Sequence, residues 1–157
     1  IIPGVLVICT LVMLLTFGPG TDAAGAAVYT GAAYEGVALL PKLGQLLSPI
    51  TGILFGFQDP TNIAFPITSM GATGAAMALV PPMLKSGAAG FNEVAVFTAI
   101  GMCWSGYLST HVSMMDALDK RVFIKAAIFS HTIGGLCAGV AAHYLYVLFS
   151  MIVNMLA

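Results

Sequence analysis

The residues able to do chemistry fall into two short polar clusters and three separated histidines. The first cluster closes the stretch FTAIGMCWSGYLSTHVSMMDALDKR, Phe97 to Arg121. In a helix running through Gly106, Ser105, Ser109, Ser113, Asp116 and Lys120 recur every three or four residues and share one face. Trp104, Tyr107, His111, Met114 and Leu118 fall on another. Such a stripe has two readings. Either the helix is leaving a membrane and the stripe meets headgroups and water, or it lines a cavity, because polar side chains inside a bundle face a pathway. Helix geometry does not choose between them.

The second cluster is FQDPTN, Phe57 to Asn62. Asp59-Pro60 reads as a helix start: the carboxylate caps free N–H groups, and proline suits a first turn that needs no donor. Gln58, Asp59, Thr61 and Asn62 then form either a capped surface loop or a polar tip that meets a ligand. Thr68 and Ser69, about two turns on, are free to bond back to their own helix. His111, His131 and His143 lie 20 and 12 residues apart with no HxxxH pair. They read as interhelical hydrogen-bonding groups and not as metal ligands, although His131 and Asp116 could meet across a hairpin. No GxSxG, P-loop, HExxH or dinucleotide motif is present. The reading is therefore non-enzymatic, with no cofactor and no metal.

The chain that must position these groups is oily. Its 157 residues are 59% hydrophobic and only 7% charged, with a mean hydropathy of +1.01. Ordinary soluble domains carry about 25% charged residues. Eleven formal charges (five basic, six acidic) are too few to coat a soluble surface of this size. Lipid is the expected solvent, and the length allows about four to six spans of roughly 20 residues. A net charge of −1 gives no electrostatic case for nucleic acid. Cys9, Cys103 and Cys137 sit in apolar runs without CxxC spacing and read as small buried residues.

Val5–Phe17 is an apolar run ended by Gly18-Pro19-Gly20. Ile1–Phe17 could be a signal-peptide core with Ala24-Gly25-Ala26 as a cleavage-like site, but in so hydrophobic a chain a membrane helix is the better reading. Thr21–Gly36 is too polar and small-sided for a span. Val37–Leu47 reads as an interfacial or re-entrant helix, and Ile50–Phe57 as a separate short piece. A helix from Asp59 should reach about Leu84, bent early by Pro66 and disrupted at its end by Pro81-Pro82. Its Gly71, Gly74, Ala75 and Ala78 make a small-residue face suited to close helix approach. Lys85–Asn92 reads as a loop, Val94–Tyr107 as the next helix, and about Val122 to Leu156 as a long last helix. That helix has a second small face, Gly134, Gly135, Ala138, Gly139 and Ala142. Breaks in apolar helices survive at membrane depth only inside protein or beside a watery cavity. In transporters they are where solutes bind.

The order of these features resembles the Gate domain family, also called the nucleoside-recognition domain, and within it the spore maturation protein B group. The resemblance rests on IIPGVLVICTLVMLL, LLSPITGILFG, SMGATGAAMALVPPMLKSG and NEVAVFTAIGMCWSGYLSTH, followed by DKR opening a Gly-rich last helix. It covers most of the chain, with Thr21–Leu40 standing apart as an insertion. It implies transport of a polar solute beside a second membrane subunit. It assigns no solute-binding residue, since the matching positions are small or apolar.

The sequence thus leads to one all-α domain over residues 1–157: a polytopic membrane helical bundle with broken or re-entrant helices, in a bacterial cytoplasmic membrane. The expected role is a transport domain or subunit that moves a small polar solute by alternating access, paired with a second subunit or with its own copy. The alternative is an assembly protein that binds a partner through its Gly/Ala faces. Expected solute contacts are Gln58, Asp59, Thr61, Asn62, Ser105, Ser109, His111 and Asp116, converging on one hydrated cavity. Lys120, Arg121 and Lys125 form the only basic cluster and mark the cytoplasmic end.

Overall fold

The structure is a computed structural model that describes residues 10–32 and 34–156. It is 74% helical with almost no sheet. Residues 10–16 are helical (α1) and end just before Gly18-Pro19-Gly20, as the breaker residues require; most of the first apolar run lies outside the described residues. Strands β1 (Gly20–Thr21) and β2 (Ala27–Val28) pair antiparallel. Asp22 closes their turn by accepting the Ala24 and Ala26 N–H groups at 2.9 and 2.8 Å. Beyond it, Glu35 accepts the Thr30 hydroxyl and the Thr30 and Gly31 N–H groups. These bonds, the Thr30 hydroxyl first, hold its carboxyl below the ordinary 4.5.

Helix α2 (Leu39–Phe55) joins what the sequence suggested were two pieces. Pro49 lies inside it and cannot donate to the Gln45 carbonyl. The Ser48 hydroxyl donates to that carbonyl at 2.9 Å instead, so the helix continues through the proline.

Asp59 accepts the Thr61 N–H at 2.7 Å and caps a 3-10 turn, Pro60–Ile63, that leads into α3 (Ala64–Met77). Pro66 sits in the first turn of α3, where no donor is needed. The bend comes later. Ala72 leaves helical geometry at φ −158°, ψ 103°, and α4 (Val80–Ser86) departs at 86° to the segment before it. Pro81 and Pro82 lie in the first turn of α4 and open it, where the sequence suggested they end a longer helix. Neither can donate to the carbonyls of Met77 and Ala78, so the break falls on their N-terminal side. The small-residue face of α3 is only partly used. Ala75 is buried, but Gly71 and Gly74 look onto open space.

Helix α5 (Phe91–Cys103) begins earlier than expected, anchored by the Glu93 carboxylate, which accepts the Gly90 N–H at 2.9 Å. It stops at Trp104. Gly106, at φ 72°, then turns the chain into α6 (Tyr107–Ala117). A left-handed residue ends a helix readily when it is glycine. The continuous stripe from Ser105 to Lys120 is therefore divided. A second 3-10 turn, Arg121–Phe123, leads into α7 (Ile124–Leu156), 33 residues long.

The core lies between α3, α5 and α7. Phe65 and Phe97 stack at 4.3 Å, with Leu79, Met83, Val96, Ile100 and Trp104 buried around them. Gly135 and Gly139 are the buried residues of α7 and let it lie against α5. A Cβ at Gly139 would meet Ile100 at 2.8 Å and Phe55 at 2.9 Å, and one at Gly135 would strike the Trp104 indole. The rest of α7 is largely uncovered, with Phe129, Leu148, Phe149, Ile152 and Val153 exposed. Among the described residues one helix, Arg121–Leu156 with its leading turn, is long and apolar enough to cross a membrane. The bent pair Pro60–Met77 and Val80–Ser86 passes the same test if taken as one broken span.

Candidate functional site

The 86° bend leaves a cavity of about 780 Å³ between the start of α3, helix α4 and the segment around Phe17–Ala38. Polar groups on its wall are Thr16, Tyr34, Asp59, Thr61, Lys85 and Ser86. Asp59 is half-buried because its carboxylate caps the turn, and Lys85 is exposed in the last turn of α4. No ion pair joins them: among the described residues the only salt bridge is Arg121–Asp116. The wall thus offers an acceptor and a cation, each with capacity left. Between them are apolar surfaces from Phe17, Pro41, Pro82 and Met83. Such a mixture suits a small molecule carrying both polar and apolar parts.

The neighbouring candidates are used differently. Asn62 is fully buried, and its amide donates to the Ala88 carbonyl at 2.9 Å, tying the start of α3 to the loop after α4. Its Oδ1 is buried with no partner. Gln58 is exposed and lines a second, shallower cavity of about 480 Å³ with Asn92, Glu93, His143 and Tyr146. There Asn92 donates to the Phe55 carbonyl at 2.9 Å and accepts from His143 Nδ1 at 2.8 Å, closing the end of α2 against α7.

The Ser105–Asp116 cluster lies elsewhere. Ser105 is exposed in the α5–α6 break, and the Ser109 side chain lies outside the described residues. Asp116 is exposed and paired with Arg121. His111 is half-buried and meets His131 at 2.9 Å, so His131 reaches His111 and not Asp116. The turn after α6 explains the exchange: it returns Arg121 to Asp116 and satisfies the carboxylate locally. Neither cavity is lined by Ser105, His111 or Asp116. The two polar clusters therefore do not meet in either of these cavities. Cys137 is exposed and Cys103 half-buried, against the expectation of burial, while Cys9 lies outside the described residues.

Comparison with protein-family models, with curated proteins and with solved structures finds no match for this chain. The likeness to the Gate domain rests on the quoted motifs alone. Among the described residues no group of three or more His, Cys, Asp or Glu side chains is placed to hold a metal.

Sequence reasoning missed Lys85, Tyr34 and Asn92, whereas His143 makes the interhelical hydrogen bond expected of it, to Asn92. Lys85 carried a usable signal: a lone cation in KSG, directly after an apolar proline-containing segment. Asn92 carried none, because it meets His143 across 51 residues of chain.

Proposed function

We propose that this chain is a polytopic membrane transport subunit that binds a small polar solute in the cavity beside its broken helix pair. The observation that carries the reading is that cavity: it sits at an 86° break between apolar segments and bears Asp59, Thr61 and Lys85. Irregular backbone of this kind suits a segment that lines a hydrated space. Support for a lipid environment comes from the exposed apolar length of α7 and from the low charge content. The two shorter apolar helices, Leu39–Phe55 and Phe91–Cys103, supply further membrane-depth elements. The basic end at Lys120–Lys125 faces the cytoplasm.

The test is uptake by the reconstituted full chain with its partner subunit, against a panel of nucleosides, amino acids and divalent metals. Asp59→Asn keeps a good helix cap, because Asn and Asp cap about equally well, and removes only the charge. A hydrogen bond to a charged group contributes about 1.5–3 kcal/mol, so uptake of the recognised solute should fall about tenfold or more at unchanged expression. Uptake equal to wild type across the panel would contradict the reading. A second reading, a membrane assembly protein, is favoured by Gly71 and Gly74 facing open space. In that case leucine at both positions abolishes subunit pairing, and Asp59→Asn changes nothing.

A further inference from the structure

We infer that His111 and His131 together form a binding site for one shared proton at the α5–α6 break. His111 Nδ1 stands 2.5 Å from the Tyr107 carbonyl, and His131 Nε2 is bonded to the Cys103 carbonyl. A carbonyl can only accept, so each of these nitrogens carries a hydrogen. In neutral imidazole the other nitrogen is then a bare lone pair. Those two remaining nitrogens, His111 Nε2 and His131 Nδ1, face each other at 2.9 Å. Two lone pairs do not hydrogen-bond. A single added proton between them turns the contact into N–H···N, and the pair then carries one positive charge. The proton comes from solvent, adds to one nitrogen, and its hydrogen bond is accepted by the other; no bond to carbon changes.

The surroundings fit this stoichiometry. No carboxylate is hydrogen-bonded to either ring among the described residues. From α6, Tyr107 packs its ring edge-on to His131 at 5.8 Å, and Asp116 is held by Arg121 of the following turn. From α5, Cys103 contributes its carbonyl, and Glu93 is occupied at the far end by Gly90. Helix α3 has no ionisable residue, and α2 has only Lys42, in its first turn. Helix α7 adds Lys125 and Cys137, six residues to either side of His131, and His143, which is engaged with Asn92. Among the described residues no third His, Cys, Asp or Glu is grouped with the two rings, and a single proton suits the pair.

The site also sits on the joint between α6 and α7. The Trp104 indole donates to the His131 carbonyl at 3.0 Å, and the Tyr107 hydroxyl bonds Thr132. Proton loss would leave two lone pairs opposed at this joint, so proton occupancy favours α6 docked on α7.

The experiment is nitrogen-15 NMR of the full chain, labelled at histidine and held in lipid nanodiscs, titrated across about pH 5–8, where histidines ordinarily change charge. The expected result is that His111 Nδ1 and His131 Nε2 stay protonated throughout. The two facing nitrogens should move together in a first step of one proton, with a scalar coupling between them across the hydrogen bond. His111→Gln should abolish the coupling and the joint step, while His143→Gln should leave both intact. Two independent steps in the wild-type protein, or no coupling anywhere in the range, would overturn the proposal, and that spectrum decides even if a variant fails to fold.

Discussion

Replacing Gly135 with leucine is expected to separate α7 from α5 and abolish the folded chain. The space a side chain needs there is already occupied by the Trp104 indole, which is 2% exposed. Inserting even a few methylenes into a packed interior costs about 1–3 kcal/mol. Here the obstruction is a rigid ring and not the end of a flexible chain, so the cost should lie at or beyond the top of that range. Gly134 is the control. It is exposed, and a Cβ there would meet only Cys103 Sγ at 3.8 Å. Thermal unfolding of the purified protein should show no cooperative transition for Gly135→Leu and a near-normal one for Gly134→Leu. Equal behaviour of the two would remove Gly135 from the α5–α7 contact.

The second large effect belongs to the other half of that contact. Trp104→Ala should destabilise the chain by about 3–5 kcal/mol, the range for emptying a buried aromatic site. It deletes the ring that packs on Gly135 and the hydrogen bond to the His131 carbonyl. The same vacancy should admit a larger residue at position 135. The double variant Gly135→Leu with Trp104→Ala is therefore expected to be more stable than the sum of the single losses, by the 0.5–3 kcal/mol typical of touching pairs. Strict additivity in chemical unfolding would mean that the two residues do not touch.

Much of this contact was legible in the sequence. Glycines four apart in an apolar helix announce a close helix approach, and Gly135 and Gly139 make one. Asp59-Pro60 announced a capped start and provides it. The less legible features depended on bonds between distant residues or on which side of a proline the helix yields. Pro81-Pro82 was read as an ending. Its missing donors instead orphan Met77 and Ala78, so the break precedes the prolines and the cavity opens there. Val37–Leu47 and Ile50–Phe57 read as separate pieces, but Ser48 covers the carbonyl that Pro49 leaves free and one helix runs through both. The polar stripe from Ser105 assumed an unbroken helix, and Gly106 divides it. Gly71 and Gly74 have the same signature as Gly135, yet they face open space, because spacing reports that a face can pack and not what packs on it. The histidines read as interhelical hydrogen-bonding groups, but which partners they take was not legible for a similar reason: 20 residues and a reversal of the chain separate His111 from His131.

On the proposed function, the cavity beside the broken helix holds a small polar solute through Asp59. Native mass spectrometry of the full chain, purified in detergent that is removed in the gas phase, tests this most directly. The wild-type protein should carry a co-purifying small molecule of fixed mass that is released on activation, and Asp59→Asn, which keeps the cap, should arrive without it. A wild-type spectrum showing bare protein or lipid adducts alone, or the same small molecule at equal occupancy in Asp59→Asn, would contradict the account.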